Sequence, residues 1–445
     1  MTTLAATAAA GPAGAVAASG SAAAATLLAS SAKAANVCAD HSRARKKSLE
    51  PPPAMASLPP ASPPPPGDAQ ALYIHWPFCV SKCPYCDFNS HVRDSVDTDA
   101  WQAALLADMA HEAALTGGRP LSSIFFGGGT PSLMPPRLLE ALLAAAERHW
   151  GFTPDMEITL EANPNSVEAA RFADIAAAGV NRVSLGLQAL DNEALHFLGR
   201  AHDVDEGLAA LATAQSVFGR VSFDLIYARP DQSEADWEAE LARALSFGTG
   251  HLSLYQLTIE PGTRFATLVA QGKLTPADPD HGATLYELTQ AMTGAAGIPA
   301  YEISNHARPG QESRHNLTYW RYGDYAGIGP GAHGRRGGMA TMRHKKPENW
   351  MGAVARNGHG MQSEDALIPE DRAREALLMG LRLGEGVDLS RIAALSGVRA
   401  DRLVDERAIA QLTNLGLIRL TGAHLQVAPA GMLLLDAILP EVVAI

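Results

Sequence analysis

Cysteine is scarce in this chain, with four in 445 residues, and three of the four fall within eight positions. So small and clustered a set excludes a disulfide-built extracellular framework and fits a reducing compartment, the cytoplasm. Basic charge is also short: 35 Lys and Arg stand against 47 Asp and Glu, a formal net charge of −12. A nucleic acid or an anionic membrane as main partner needs a positive face, which this balance does not supply. Long apolar runs are missing too. Ala22 to Leu28 is too short and too alanine-rich to span a bilayer. No basic residue precedes Lys33, so the start lacks the charged end of a secretory signal.

The first 69 residues differ in kind from the rest. Residues 1–35 are mostly Ala, Gly, Ser and Thr, and 51–66 are dominated by Pro. Neither stretch has enough apolar surface to offset the entropy of ordering it, so a disordered low-complexity extension is expected. Two other readings stand beside it. Arg43, Arg45, Lys46 and Lys47 in an acid-poor, Ala/Ser-rich leader suit an organelle transit peptide, and Met55 suits a later start.

The three clustered cysteines lie in Cys79-Val-Ser-Lys-Cys83-Pro-Tyr-Cys86. A cubane iron–sulfur cluster has four irons, each wanting a ligand, so three thiolates leave one iron open for something else. A structural zinc site usually takes four ligands, often as two Cys-x2-Cys pairs, and no second pair exists here. His75 and His91 are the residues that would complete such a site, which keeps a zinc loop open as an alternative. Cys38 sits far off in the leader and reads as a bystander.

Downstream, short apolar strands alternate with helical patterns. The strands expected are Leu72–Trp76, Ser123–Phe126, Glu157–Glu161, Arg182–Gln188, Val221–Tyr227 and His251–Thr258. The helices expected between them include Thr98–Leu115, Pro136–His149, Ser166–Ala177, segments within Asp191–Phe218, and Ser233–Ser246. Strict alternation implies a parallel sheet with right-handed crossovers, hence a barrel or an arc of one. Six units fall two short of a closed eight-unit barrel. The fold expected is therefore α/β, a partial (β/α)6 TIM-like barrel whose working face lies at the strands' C-terminal ends. Those ends carry the cysteine loop, the turn Gly127-Gly128-Gly129-Thr130, Glu161, Gln188 and Asp224. A strand-end acid alone often only caps a helix, but five strands converging on one face argue for a site.

The cysteine loop with the strand feeding into it resembles the radical S-adenosylmethionine (SAM) superfamily. That resemblance implies a 4Fe-4S cluster on Cys79, Cys83 and Cys86, with SAM chelating the open iron. An electron from the reduced cluster then splits a carbon–sulfur bond of SAM to give a 5′-deoxyadenosyl radical. It also gives the polar residues roles. Backbone N–H groups of Gly128, Gly129 and Thr130 are expected to approach the amine or carboxylate of SAM. Glu161, Gln188 and Asp224 suit its amine and ribose, and Arg200 its carboxylate. Tyr73 is expected to hydrogen-bond near the ligand, and Tyr85 to pack on the adenine or shield the cluster.

The strings YIHWPFC, CPYCDF, FFGGGTP, LEANP, SLGLQAL and DLIY are similar to those of the oxygen-independent coproporphyrinogen oxidase group, over roughly residues 70–440. Within it, coproporphyrinogen III dehydrogenases carry a further cysteine two residues after the third, where this chain has Phe88. HemW-type haem chaperones carry His-Asn-x-x-Tyr-Trp, matched by His315-Asn-Leu-Thr-Tyr319-Trp320. This second likeness implies haem binding through His315 and delivery to a haem-acceptor protein, such as a membrane-bound respiratory one. An electron donor for the cluster is implied as well, and no nucleic acid. The alternatives are a dehydrogenase that decarboxylates coproporphyrinogen III and, from another class, a zinc-loop module that only binds partners. Two departures stand out. Ala228-Arg229-Pro230 replaces the usual Gly-Leu-Pro, which puts Arg229 beside the site or in solvent. Arg335 and Arg336, in a Gly-rich segment, are candidates for the haem propionates or for a mobile basic loop.

Helices expected near Asp371–Leu383, Asp388–Ser396 and Asp401–Leu415, then a hairpin turning at Gly422, make the C-terminus a winged-helix-like α+β unit. The acidic balance points such a unit to lid or partner docking rather than DNA. The organisation expected is an extension over 1–69, the barrel over 70–300, a linking region carrying the haem motif over 301–370, and the C-terminal unit over 371–445.

Overall fold

The computed structural model describes residues 69–93 and 95–445. The expected disorder of the leader, the transit-peptide reading, Cys38 and Met55 lie outside the described residues.

Six strands run parallel in chain order: β1 (Gln70–Trp76), β4 (Leu121–Gly128), β5 (Phe152–Ala162), β6 (Arg182–Gln188), β7 (Arg220–Tyr227) and β8 (His251–Gln256). Between β1 and β4 a two-residue pair, β2 (Phe78–Cys79) and β3 (His91–Val92), staples the two ends of the cysteine loop together. Strands covered on both faces read as near-continuous apolar runs. β1 is a case: all of its residues but Tyr73 are buried. The helix Pro136–Trp150 shows how a crossover is specified. Proline at its first position suits the helix start, Leu138, Leu139, Leu142, Leu143 and Ala146 form one buried stripe, and Gly151 ends it at φ 71°. This is the expected partial α/β barrel. One helix differs: Ser166–Ala177 is broken into Ser166–Ala169 and Phe172–Ala177. At the break Glu168 turns inward and is buried among Ser132, Asn163 and Asn165.

The sheet has eleven strands, because the segment 301–370 adds to both of its edges. β9 (Asn305–Ala307) pairs antiparallel with β8. β10 (Tyr325–Ile328) lies parallel along the outer edge of β1, and β11 (His333–Arg336), β12 (Met339–Arg343) and β13 (Met361–Ala366) continue antiparallel from it. Buried charge locks this extension to the helix Thr98–Thr116. Arg343 is fully buried against Asp108 at 3.3 Å and Glu112 at 2.7 Å, and Arg336 reaches Glu112 at 2.7 Å. Asp108 also accepts from Trp350 Nε1 and from the Gly329 and Gly360 N–H groups. The expectation of a mobile basic loop is thereby corrected. Arg335 lies buried with its guanidinium 3.6 Å from the centre of the Tyr322 ring, and Arg336 is paired with Glu112 and Glu364, so both belong to the packed sheet.

The C-terminal unit has its own core around Leu377, Leu403, Leu425 and Leu439. Helices Pro369–Gly380, Leu389–Ser396 and Glu406–Asn414 pack on a small sheet of β14 (Val387–Asp388), β15 (Ile418–Thr421) and β16 (His424–Val427), with the hairpin turning at Gly422. No described helix is long and apolar enough to cross a membrane.

Candidate cofactor site at the barrel mouth

A cavity of about 220 Å³ opens at the C-terminal ends of the parallel strands. Cys79, Cys83 and Cys86 line it, all with free thiols. Each sulfur has a polar neighbour: Thr130 Oγ1 donates to Cys79 Sγ at 3.5 Å, Arg200 Nη1 to Cys83 Sγ at 3.3 Å, and Ser90 Oγ lies 4.0 Å from Cys86 Sγ. Burial pushes the Cys79 and Cys86 thiols up, so taking on iron, which binds thiolates, releases protons. Among the described residues no three such side chains converge closely enough to hold one metal ion. Three thiols lining one cavity suit a cubane, where each thiolate would hold its own iron. His75 is no ligand either. Its Nε2–H donates to Asn89 O at 2.9 Å, and Tyr73 OH donates to its Nδ1 at 2.9 Å. Burial holds this imidazole down at about 4.

Opposite the cysteines sit two carboxyls. Glu161 accepts from the Gly128 N–H at 3.2 Å, and Asp224 accepts from Ser184 Oγ at 3.2 Å. Burial, then the nearby Asp224, pushes Glu161 up to about 8. Burial pushes Asp224 to about 6, against the pull of its hydroxyl hydrogen bonds. Two largely desolvated acids lining one cavity make a ready receptor for a cation. Arg200 lies between acids and cysteines. Its Nη2 donates to Asn163 Oδ1 at 2.7 Å and to Gly186 O at 3.0 Å, while its Nε is buried without a protein partner. Gln188, at φ 70°, and Tyr85 complete the wall. Phe88 stands at the rim, 61% exposed.

Three expectations need correction. The Gly127–Thr130 turn does not offer its N–H groups to a ligand. Gly128 N–H goes to Glu161, Gly129 N–H to Trp76 O at 2.6 Å, and Thr130 N–H to Phe78 O at 2.8 Å. The glycines are needed for packing: a Cβ on Gly128 would lie 2.6 Å from the His75 ring, and one on Gly129 2.6 Å from Phe78 O. Arg229 neither faces the site nor points to solvent. It is buried, bonded to Glu240 at 2.6 Å and to Ile226 O at 2.8 Å. Tyr73 and His315 lie below the cavity and do not line it. His315 is 1% exposed, stacked on Phe125 at 5.1 Å, and bonded through Nδ1 to Ser123 Oγ at 3.0 Å and through Nε2 to Tyr319 OH. Burial and Arg182 hold it at about 3. A wholly buried imidazole with both nitrogens engaged has no lone pair to give to haem iron, so in this conformation His315 is a core residue.

The residues that sequence reasoning passed over are Asn163, Asn165 and Glu168. Asn163 Nδ2 donates to Thr130 Oγ1 at 3.2 Å and to Glu168 Oε1 at 3.2 Å, which joins the Cys79 and Cys83 supports into one network. The signal was the Asn-Pro-Asn directly after the strand-end Glu161-Ala162.

The radical SAM superfamily model matches residues 73–244, and the HemN C-terminal domain model matches 367–434. A cattle protein named radical S-adenosyl methionine domain-containing protein 1, mitochondrial, is 40% identical over 83% of this chain and 86% of its own length. A protein of Escherichia coli named heme chaperone HemW is 38% identical over 83% of this chain and 97% of its own. The solved structure of coproporphyrinogen III oxidase (HemN) from Escherichia coli, described as a radical SAM enzyme, superposes with a TM-score of 0.71 at 25% identity, covering 84% of this chain and 90% of that one.

Proposed function

Because the chain belongs to the radical SAM superfamily, in the family of the HemW haem chaperones, we propose that it binds haem and passes it to acceptor proteins, with a SAM-binding 4Fe-4S cluster assisting. The observation that carries this reading is the likeness to named haem chaperones over nearly their whole length, with Phe88 where the dehydrogenases carry a fourth cysteine.

The residues of the mouth fit the cofactors. Cys79, Cys83 and Cys86 would hold the cluster through three of its irons, leaving one iron for SAM. When bound, a reduced cluster of this type supplies an electron able to split a carbon–sulfur bond of SAM. Arg200 lines the cavity and donates to Cys83, and its guanidinium would pair the carboxylate of SAM. Glu161 gives up its proton to receive the ammonium, and Asp224 and Gln188 take the ribose hydroxyls. Tyr85 and Phe88 limit water at the cluster. The acceptor is a haem protein, with membrane-bound respiratory ones the class in view, and a separate electron donor serves the cluster.

The place of action proposed is the cytoplasm, which keeps free thiols reduced. The relatives named mitochondrial make an organelle matrix the rival. Fluorescent fusions with and without residues 1–69 separate the two.

A dehydrogenase is the second reading, favoured by the fold match to coproporphyrinogen III oxidase. The test is anaerobic incubation of the cluster-loaded protein with SAM, reductant and coproporphyrinogen III, run beside a haem titration. Stoichiometric haem binding with no protoporphyrinogen IX is the result expected. Protoporphyrinogen IX formed catalytically overturns the chaperone reading.

A further inference from the structure

If His315 is sealed in the core, a haem-binding protein of this fold needs another place for the macrocycle. A second cavity, about 210 Å³, lies between the end of the helix Arg314–Trp320 and the C-terminal unit. Trp320, Leu383, Ile392 and Leu395 line it on the apolar side. Its polar side is unusual. Arg391 donates through Nη2 to Arg321 O at 2.7 Å, and its Nε is buried with no partner. The charged groups around it are Arg321, Glu385 and Asp388. Both acids are already taken. Glu385 forms a two-pronged pair with Arg321 at 2.7 Å on each side, and Asp388 accepts the Ser390 and Arg391 backbone N–H groups. Arg391 is therefore a partly desolvated guanidinium without a carboxylate of its own, a costly arrangement unless an anion comes to it.

On the same wall His424 donates its Nε2–H to Glu385 O at 2.7 Å. A carbonyl can only accept, so the proton sits on Nε2, and Nδ1 keeps its lone pair with no protein partner among the described residues. That is the pattern of a metal-ligating imidazole whose other nitrogen is fixed by a backbone carbonyl. An aromatic and aliphatic wall, an unpaired guanidinium and a tautomer-locked imidazole are the needs of one ligand class: a flat apolar macrocycle bearing carboxylates and a central metal.

We infer that the cleft between Trp320 and the C-terminal unit is the haem-docking site, with Arg391 pairing a propionate and His424 ligating the iron. The inference rests on the haem-binding reading and locates it. The cleft is too small to enclose a porphyrin and takes one edge, which leaves the other edge open to an acceptor. Trp320, at the end of the short helix, supplies the aromatic part of the wall.

The test titrates the anaerobic, cluster-loaded protein with haem and with metal-free protoporphyrin IX, followed by difference absorption. For the wild type, haem binding is expected. Arg391→Gln is expected to weaken both ligands by about tenfold, the worth of one charge-assisted hydrogen bond. His424→Ala should weaken haem and change its Soret band while leaving protoporphyrin IX affinity unaltered. His315→Gln, checked for an intact cluster, should bind haem as the wild type does. Wild-type haem binding that neither cleft variant weakens, or that His315→Gln alone abolishes, overturns the site and spares the chaperone reading. A wild type that binds no haem overturns both.

Discussion

Glu161 should make SAM binding a proton-releasing event. In the ligand-free protein this carboxyl is held at about 8 by burial and by Asp224, so it is protonated at neutral pH. Asp224, at about 6, is already ionised there. An ammonium arriving at Glu161 favours the ionised form, so binding expels one proton wherever the free protein still holds it. The observed affinity for SAM should therefore rise about tenfold per pH unit between roughly 6 and 8, each unit being about 1.4 kcal/mol, and level off above. The two acids interact, so the breakpoints belong to the pair. The same shift fixes the sign for stability. Folding raises Glu161 from its ordinary 4.5 to about 8, so the native state holds the extra proton between those values, and ligand-free stability falls as pH rises through that window. Isothermal titration of the cluster-loaded protein with SAM, in buffers of different ionisation heat, reads the proton count directly. Glu161→Gln should bind more weakly at pH 8, release no proton, and lose most of the fall in stability. A flat affinity from pH 6 to 8 in the wild type, or an unchanged slope in Glu161→Gln, would refute the reasoning.

Other perturbations follow from the same contacts. Arg343→Met leaves Asp108 buried without a counter-ion and Glu112 with Arg336 alone, and a loss of about 3 kcal/mol is expected by denaturant unfolding. Gly129→Ala drives a methyl group into Phe78 O beside the cysteine loop, so the purified protein should carry little cluster by iron and sulfide analysis while keeping its circular dichroism. Arg200→Gln removes a cationic donor from Cys83, and the cluster's midpoint potential should become more negative in a redox titration.

What the sequence made legible was the part built from local pattern. The six parallel strands, their crossover helices and the hairpin at Gly422 each carry an apolar period or a turn residue that fixes them. That the cysteine loop, Glu161, Gln188 and Asp224 share one cavity follows because strand ends share one face of a barrel, and Arg200 joins them from the loop after the helix Asn192–Phe197. What escaped depends on partners distant in the chain. β10 to β13 have no clear strand pattern of their own, and long-range pairs such as Arg343 with Asp108 and Glu112 bring them into the sheet. Arg335 and Arg336 read as a basic loop because nothing local announces Tyr322 or Glu112. His315 reads as a ligand only through the likeness of its string to that of the haem chaperones, while its burial is set by Ser123 and Phe125, nearly two hundred residues earlier.

The most direct test is electron paramagnetic resonance of the anaerobically reconstituted, reduced protein before and after addition of SAM. A signal from a single cubane that shifts when SAM is added is predicted, since three cysteines leave one iron to the ligand. Absence of a cubane, or a signal that SAM leaves unchanged, would contradict the account.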